Sequence, residues 1–171
     1  MQPERRQVGL VEELVREHAP FVGRALRYLG VPEADVPDAT QEVFLVAHRR
    51  RDDFDGQSPR AWLKAIAVHV ARNARRSLRR RREAGADALP EGSVPPAQEA
   101  AAERRSRRGR ALALLEALPK AQREVFVLHD VEQHTMKEVS HMLGIPLQTG
   151  YSRLRLARAR LQRTLTDEEQ A

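Results

Sequence analysis

The chain has 171 residues, of which 41% are hydrophobic and only 4% aromatic, and its 30 Lys and Arg residues outnumber its 24 Asp and Glu residues. Few aromatic residues and many Ala, Leu, Arg and Glu favour an all-α fold, and the excess of arginine suits a polyanionic partner such as nucleic acid. The chain has no cysteine, which excludes disulfides, thiolate nucleophiles and zinc sites built on Cys.

The first third of the chain predicts two helical regions. Apolar residues between positions 10 and 29 recur with helical spacing, and Pro20 among them predicts either two short helices or one bent helix. Charged residues among the first 30 positions leave no apolar run there long enough for a signal peptide or a membrane span. Pro37 and Asp38 open the next helix. Its inward-facing residues are predicted to be Val43, Phe44, Leu45 and Ala47.

A third helix is predicted to begin at Ser58 and Pro59, which are favoured at the N-cap and the first helical position. Its apolar residues Trp62 and Ile66 continue toward the arginine run at 79–82. With the two preceding regions, this helix can bury one small core.

A linker is predicted at 84–103, AGADALPEGSVPPAQEAAAE, which contains three prolines, two glycines and no aromatic residue. It carries four acidic and no basic residues, whereas basic residues outnumber acidic ones on both sides of it. We therefore predict two basic helical domains, at 1–83 and 104–171, joined by an acidic linker.

The second domain predicts four helices. The first is amphipathic and ends at Pro119, because proline restricts the residue before it. Its apolar residues are Leu112, Leu114, Leu115 and Leu118. The apolar residues of the second helix are Val125, Phe126 and Leu128.

The last two helices have the signature of a helix-turn-helix unit. Thr135 and Glu138 have the spacing of a capping box, Gly144 suits a left-handed helix end, and a new helix can begin at Pro146. In the final helix, predicted at about 147–165, the inward-facing residues are Leu154, Leu156, Leu161 and Leu165. Such a unit places its second helix in the major groove of DNA. The alternative is an ordinary helical hairpin with a solvated arginine face.

Polar side chains of this unit are the candidate DNA contacts. Residues in the N-terminal part of a recognition helix reach base edges, and basic residues beside them reach phosphates. The candidates for base contact are Gln148, Thr149, Tyr151, Ser152 and Arg155. The candidates for phosphate contact are Lys137, Arg153 and Arg158.

The stretch TMKEVSHMLGIPLQTGYSRL at 135–154 resembles the C-terminal domain of bacterial RNA polymerase sigma factors of the sigma-70 family, in the extracytoplasmic-function (ECF) subfamily. This resemblance implies that the domain reads the minus thirty-five promoter element and docks on the flap of the second-largest polymerase subunit. The family usually has Val at the position of Gly150 and a basic residue at that of Tyr151. We expect Gly150 to leave unfilled space against the preceding helix and to weaken recognition of this element.

The stretch DVPDATQEVFL at 35–45 is similar to the helix by which these sigma factors grip the clamp helices of the largest polymerase subunit. Asp38, Gln41 and Glu42 fall on the matching polar positions, and the resemblance implies that they bind core polymerase. An outward acidic and amide patch could meet arginines of a partner. Without the resemblance, the same residues are typical of a solvated helix face.

The segments FDGQSPRAWL at 54–63 and IAVHVARN at 66–73 resemble the part of the family that opens and reads the minus ten element. The resemblance places 68–73 in a loop that holds an extruded base, although the pattern alone predicts one unbroken helix. The candidate residues for this DNA are His69, Arg72, Asn73 and Arg76.

The resemblance covers about 10–83 and 104–165 and implies a cytoplasmic sigma factor that binds core RNA polymerase and promoter DNA and is held by an anti-sigma factor. It implies no catalysis, no cofactor, no metal and no direct membrane insertion. One alternative is a free-standing helix-turn-helix repressor or activator. Another is an arginine-rich packaging protein, which would not need the acidic helix around Asp38.

Overall fold

The computed structural model describes residues 3–83 and 99–169, whose regular structure is entirely helical and confirms the all-α prediction. The chain divides into two compact units, Met1–Pro90 and Glu91–Ala171. Residues 84–98 of the predicted linker lie outside the described residues. Residues 99–103, which were also assigned to the linker, form the first turn of a helix, since the sequence EAAAE has high helix propensity.

Three helices form the first unit: α1 (Pro3–Tyr28), α2 (Val36–Arg49) and α3 (Pro59–Glu83). Short 3₁₀ turns at Glu33–Asp35 and Arg51–Asp53 flank α2. Each helix packs against the other two around one core. The most deeply buried large side chains of this core are Val22, Leu26, Leu29, Val43, Leu63 and Val68.

Helix α1 runs through Pro20 without interruption, so the alternative of two short helices is wrong. Proline removes one backbone hydrogen bond and costs a helix interior about 3 kcal/mol. Pro20 lies on the exposed side of α1, and the residues that follow it, Phe21 and Val22, are buried in the core. Their burial offsets the cost, because each large apolar side chain contributes roughly 1.5–3 kcal/mol.

Helix α2 buries Val43, Phe44 and Ala47 as predicted. Leu45, which was also expected inside, is 46% exposed, and that prediction is wrong. One step along a helix turns a side chain by about 100°, so the residue after Phe44 leaves the face that the core covers.

Helix α3 begins where the sequence predicted, and the Ser58 hydroxyl accepts a hydrogen bond from the Ala61 N–H at 3.3 Å. The loop at 68–73 that the resemblance implied is wrong, because these residues are helical. Val68 and Ala71 are buried against the rest of the unit, which keeps this stretch in the helix.

The second unit contains α4 (Glu99–Glu116), α5 (Lys120–Phe126), α6 (Met136–Leu143) and α7 (Leu147–Glu169). One π-helical turn, Val127–Val131, continues α5, and no pattern in the sequence predicted it. Helix α7 packs on α5 and α6. The core residues of this unit are Leu115, Leu118, Val125, Val127, Leu128, Met136, Val139, Leu143, Leu154 and Ala157.

The predicted signals around α6 are confirmed. Thr135 and Glu138 form a capping box in which the Glu138 N–H donates to the Thr135 hydroxyl at 3.3 Å and the Thr135 N–H donates to the Glu138 carboxylate at 2.8 Å. Gly144 ends the helix with φ of 63°, in the left-handed region. The Ile145 N–H then donates to the Ser140 carbonyl at 3.0 Å. These bonds fix the turn that sets α7 against α6.

Two leucines of α7 were wrongly predicted to face inward: Leu156 is 48% and Leu165 41% exposed. The buried side of this helix carries Leu154 and Ala157 instead. Among the residues that the structure describes, no helix is long and apolar enough to cross a membrane, and no three His, Asp or Glu side chains cluster as metal ligands.

Candidate polymerase-binding and DNA-binding surfaces

The outer face of α2 carries the three predicted polymerase-binding residues, Asp38, Gln41 and Glu42, all exposed. By helical geometry Leu45 lies in the middle of the same face, so an exposed apolar side chain is surrounded by polar ones. Gln41 and Leu45 also line a groove of about 430 Å³ between α1 and α2. An apolar centre with a polar rim is the usual anatomy of a protein–protein interface.

Glu42 pairs with Arg49 on this face. Its Oε1 accepts a hydrogen bond from Arg49 Nη2 at 2.9 Å, and both side chains are about half exposed. Exposed ion pairs of this kind contribute at most about 1 kcal/mol. A partner's arginine could therefore replace Arg49 at little cost.

An open groove of about 670 Å³ lies between α2 and α3. It is lined by Asp38 and Glu42 from α2 and by His69, Asn73 and Arg80 from α3. The structure thus brings two predicted polymerase-binding residues and two predicted minus ten residues to one groove, whereas Gln41, Arg72 and Arg76 do not line it. The sequence placed these residues in separate motifs and gave no sign that they meet.

His69, Asn73 and Arg76 are exposed along one stripe of α3, at spacings of four and three residues. Arg72 is half-buried. An uninterrupted helix therefore presents the side chains that the resemblance had placed in a loop. Arg75, on the same helix, has a different role, because its Nη1 donates to the Leu29 carbonyl and ties α3 to the end of α1.

In the helix-turn-helix unit most predicted DNA contacts are accessible. Thr149 and Arg153 are half-buried at the edges of the buried side of α7. The exposed candidates are Lys137, Gln148, Tyr151, Ser152, Arg155 and Arg158. Helix α7 therefore presents polar and basic groups on the side away from α5 and α6.

Gly150 is buried on the side of α7 that meets α6. A Cβ atom at this position would lie 2.6 Å from the Met136 sulfur and 3.2 Å from the Ser140 hydroxyl oxygen. The expectation of unfilled space at Gly150 is therefore wrong, because Met136 fills it. An unbranched thioether adapts to irregular gaps, and the missing side chain at Gly150 leaves room for it between the two helices.

Arg158 is held by a residue that sequence analysis did not single out, Asp130 in the π-helical turn. Arg158 Nε donates to one Asp130 oxygen at 2.8 Å and Nη2 to the other at 2.7 Å. His129 Nδ1 lies 2.8 Å from the same carboxylate. The hydrogen bonds from Arg158 lower the pKa of the Asp130 carboxyl below its ordinary value, and His129 lowers this pKa further. The two N–H groups of Arg158 Nη1 lie outside this pair.

Replacement of Asp130 by Asn is expected to destabilise α7 by about 1 kcal/mol at neutral pH, since it removes a charge-assisted bidentate pair. Because folding lowers this pKa, the contribution is complete above the unfolded-state pKa and disappears as the pH falls through the folded-state pKa. Urea unfolding, followed through the NMR signals of α7 residues, measures this effect. The free energies of unfolding of the wild type and of Asp130→Asn should become equal in acid. A difference that stays constant down to that pH would contradict this assignment.

The two units match two family models. Residues 14–81 match the family described as Sigma-70 region 2, and residues 108–161 match Sigma-70, region 4. The matched ranges contain α2 and most of α3 in the first unit, and α6 with the first 15 residues of α7 in the second. The chain therefore carries both regions in the order that the sequence motifs predicted.

Similar proteins cover nearly the whole chain. RNA polymerase sigma factor CnrH of Cupriavidus metallidurans is 34% identical over 164 residues, which cover 90% of this chain and 85% of the relative. The ECF RNA polymerase sigma factor SigE of Mycolicibacterium smegmatis is 33% identical over 88% of this chain and 60% of its own length. The structure of CnrH in complex with the cytosolic domain of CnrY aligns with a TM-score of 0.66 at 28% identity, over 92% of this chain and 88% of that one. The chain belongs to the ECF subfamily of the sigma-70 family, the initiation factors that bind core RNA polymerase and direct it to particular promoters.

Proposed function

We propose that the two units divide the work of this sigma factor. The first, at 1–83, binds core polymerase and opens and reads the minus ten element, and the second, at 104–171, reads the minus thirty-five element. The observation that carries this division is that one chain joins an acidic α2 face to a basic exposed recognition helix. The stretch 84–103, whose last five residues begin α4, carries four acidic and no basic residues, so DNA repels it and it stays off the promoter between two basic units.

The proposed polymerase contact is the outer face of α2. Asp38, Gln41 and Glu42 offer acceptors to arginines of the clamp helices, and Leu45 supplies an apolar centre that the partner would cover. Asp38 also lies in the first turn of α2, where the helix dipole favours negative charge. The flap of the second-largest subunit is the proposed contact of the second unit.

The proposed minus ten contact is the α2–α3 groove. His69 and Asn73 can hydrogen-bond the exposed edge of an extruded base, and Arg72 and Arg76 can meet the phosphates beside it. The groove is roughly the size of a small ligand site, which suits one nucleotide. The Asp38 and Glu42 carboxylates on its other wall disfavour phosphates there, so the backbone should follow α3.

Replacing His69 or Asn73 by Ala is expected to change the preference for minus ten sequences more than the overall affinity of the holoenzyme. A lost base contact costs about 1–3 kcal/mol at one position only. Competition among promoter variants, each with one altered minus ten base, measures this preference. His48→Ala is the control, since His48 is exposed on α2 outside this groove. A uniform drop across all variants would contradict the base-reading role.

The proposed minus thirty-five contact is the exposed side of α7. Gln148, Ser152 and Arg155 would reach base edges, Tyr151 would lie beside them, and Thr149 would contribute from the edge of the helix. Lys137, Arg153 and Arg158 would bind phosphates, Arg158 through the Nη1 that Asp130 leaves available.

We further propose that an anti-sigma factor restrains the chain. The structure of CnrH in complex with the cytosolic domain of CnrY aligns with 92% of this chain. A cytoplasmic location follows from the proposed partners, core polymerase and promoter DNA. The role needs no catalysis by this chain, because the polymerase performs the chemistry.

Reconstitution with core polymerase tests the proposal. The expected result is a stable complex that gives run-off transcripts from promoters on which core polymerase alone is inactive. A chain that bound specific DNA without polymerase and formed no complex with it would instead be a free-standing helix-turn-helix regulator.

A further inference from the structure

We infer that the minus thirty-five element of this sigma factor is read in part through thymine methyl groups, which Tyr151 and Leu156 contact from the exposed side of α7. The inference rests on the proposed role of α7 and names two specificity-determining side chains within it. Leu156 was predicted to lie in the core, but it lies at the surface.

Helix α7 has a narrow buried side. Leu154 is 4% and Ala157 0% exposed, and Gly150 is buried between them on the same side. Tyr151 is 51% and Leu156 48% exposed. At about 100° per residue the two side chains lie roughly 140° apart around the helix. The polar residues between them on this surface are Gln148, Ser152 and Arg155.

The outer face of α7, from Tyr151 across Ser152 and Arg155 to Leu156, therefore has a polar centre and an apolar side chain at each edge. Arg153 and Arg160 flank Leu156, so the surrounding charge favours a polyanion over an apolar protein partner. Leu156 is half exposed among arginines. Its burial stabilises a complex with DNA only where the DNA itself offers apolar surface.

The thymine C5 methyl is the apolar group that base pairs present in the major groove. Adenine, guanine and cytosine present donors and acceptors there, which suit the polar centre of the face. Tyr151 and Leu156 are five residues apart, or about 7.5 Å along the helix axis, so they contact different base pairs. Two separate A·T positions in the element are therefore expected.

Deoxyuridine tests this inference because it removes the methyl group and keeps every hydrogen-bonding group of the base. The probe is a duplex promoter that the reconstituted holoenzyme selects from a random library. Each thymine of its minus thirty-five element is then replaced in turn. Binding of the wild-type holoenzyme is expected to weaken about fourfold at one or both contacted positions, as for the loss of one buried methyl group.

Variants assign the effect to the two side chains. Tyr151→Ala and Leu156→Ala should each become insensitive to deoxyuridine at one position and keep their folds, because both side chains are already half exposed. Tyr151→Phe should retain the sensitivity, since the ring is preserved. Leu165→Ala is the matched control: Leu165 is a 41% exposed leucine of the same helix, about 13 Å further along it than Leu156.

The outcomes separate the inference from the function on which it rests. A selected element without thymine on either strand, equal binding of the deoxyuridine probes, or unchanged sensitivity in both alanine variants would overturn the inference and leave the sigma factor role intact. Failure of the holoenzyme to select any promoter would overturn the proposed role of α7, and the inference with it.

Discussion

Reversal of two charges on α2, by Asp38→Lys with Glu42→Lys, is expected to weaken binding to core polymerase by roughly a hundredfold. Losing a charge-assisted contact at an interface costs about 2–5 kcal/mol, and opposed like charges add to the cost. Both side chains are exposed, and Glu42 gives up only a surface pair with Arg49, so the fold should persist. Fluorescence anisotropy with labelled protein and core polymerase measures the affinity.

The matched control for this variant is Asp52→Lys with Asp53→Lys. These residues lie in the 3₁₀ turn that follows α2, are exposed, and give the same change of net charge. The affinity of the control for core polymerase should lie within about twofold of the wild-type affinity. A charge at the edge of an interface mainly changes the association rate. Equal losses in the two variants would mean that general electrostatics, and not the outer face of α2, governs the affinity.

Gly150→Val is expected to destabilise the second unit by about 1–3 kcal/mol, the usual cost of overpacking a filled core. The new Cβ would lie 2.6 Å from the Met136 sulfur and 3.2 Å from the Ser140 hydroxyl oxygen, so the buried Met136 side chain must take another conformation within a filled core. Hydrogen exchange of α6 and α7 amide groups in the full chain measures the loss within this unit.

Met136→Ala should compensate in part for Gly150→Val. Alone it leaves a cavity and costs about 2–5 kcal/mol, but the double variant should cost less than the sum by about 0.5–3 kcal/mol, because valine then occupies the space. The control is Gly109→Val in α4, where a new Cβ meets nothing within 4 Å; it should stay within about 0.5 kcal/mol of the wild type. Additive effects of Gly150→Val and Met136→Ala would show that the two residues are not coupled.

These two experiments address different features of the molecule. The α2 variants test whether an exposed surface binds a partner, whereas the Gly150 variants test how tightly α7 packs on α6. In the proposed complex the position of α7 on α6 affects which of its side chains can reach DNA, so the two sets of variants bear on the same proposed function. A glycine where the family usually has Val therefore leaves no void, because Met136 fills the space.

Local features could be predicted from the sequence because short-range geometry decides them. The Ser58 cap, the Thr135–Glu138 capping box and the left-handed Gly144 each depend on a few neighbouring residues, and all three are present. The predicted site residues were also largely accessible, because polar residues on amphipathic helices face away from the core. The loop at 68–73 was inferred from resemblance, and the helical pattern was the better guide.

What the sequence alone determined is the all-α character, the order of the helices and the motifs that indicate a sigma factor, since propensity, capping and hydrophobic spacing act within a few turns. Only the tertiary structure decided the pairing of Asp130 with Arg158, 28 residues apart, and the filling of the space beside Gly150 by Met136. It also decided that Leu45 and Leu156 stay exposed. The side of a helix that is buried depends on where the neighbouring helices lie. Helical periodicity predicts which residues share a side, but it does not predict how wide a strip of that side the neighbours bury.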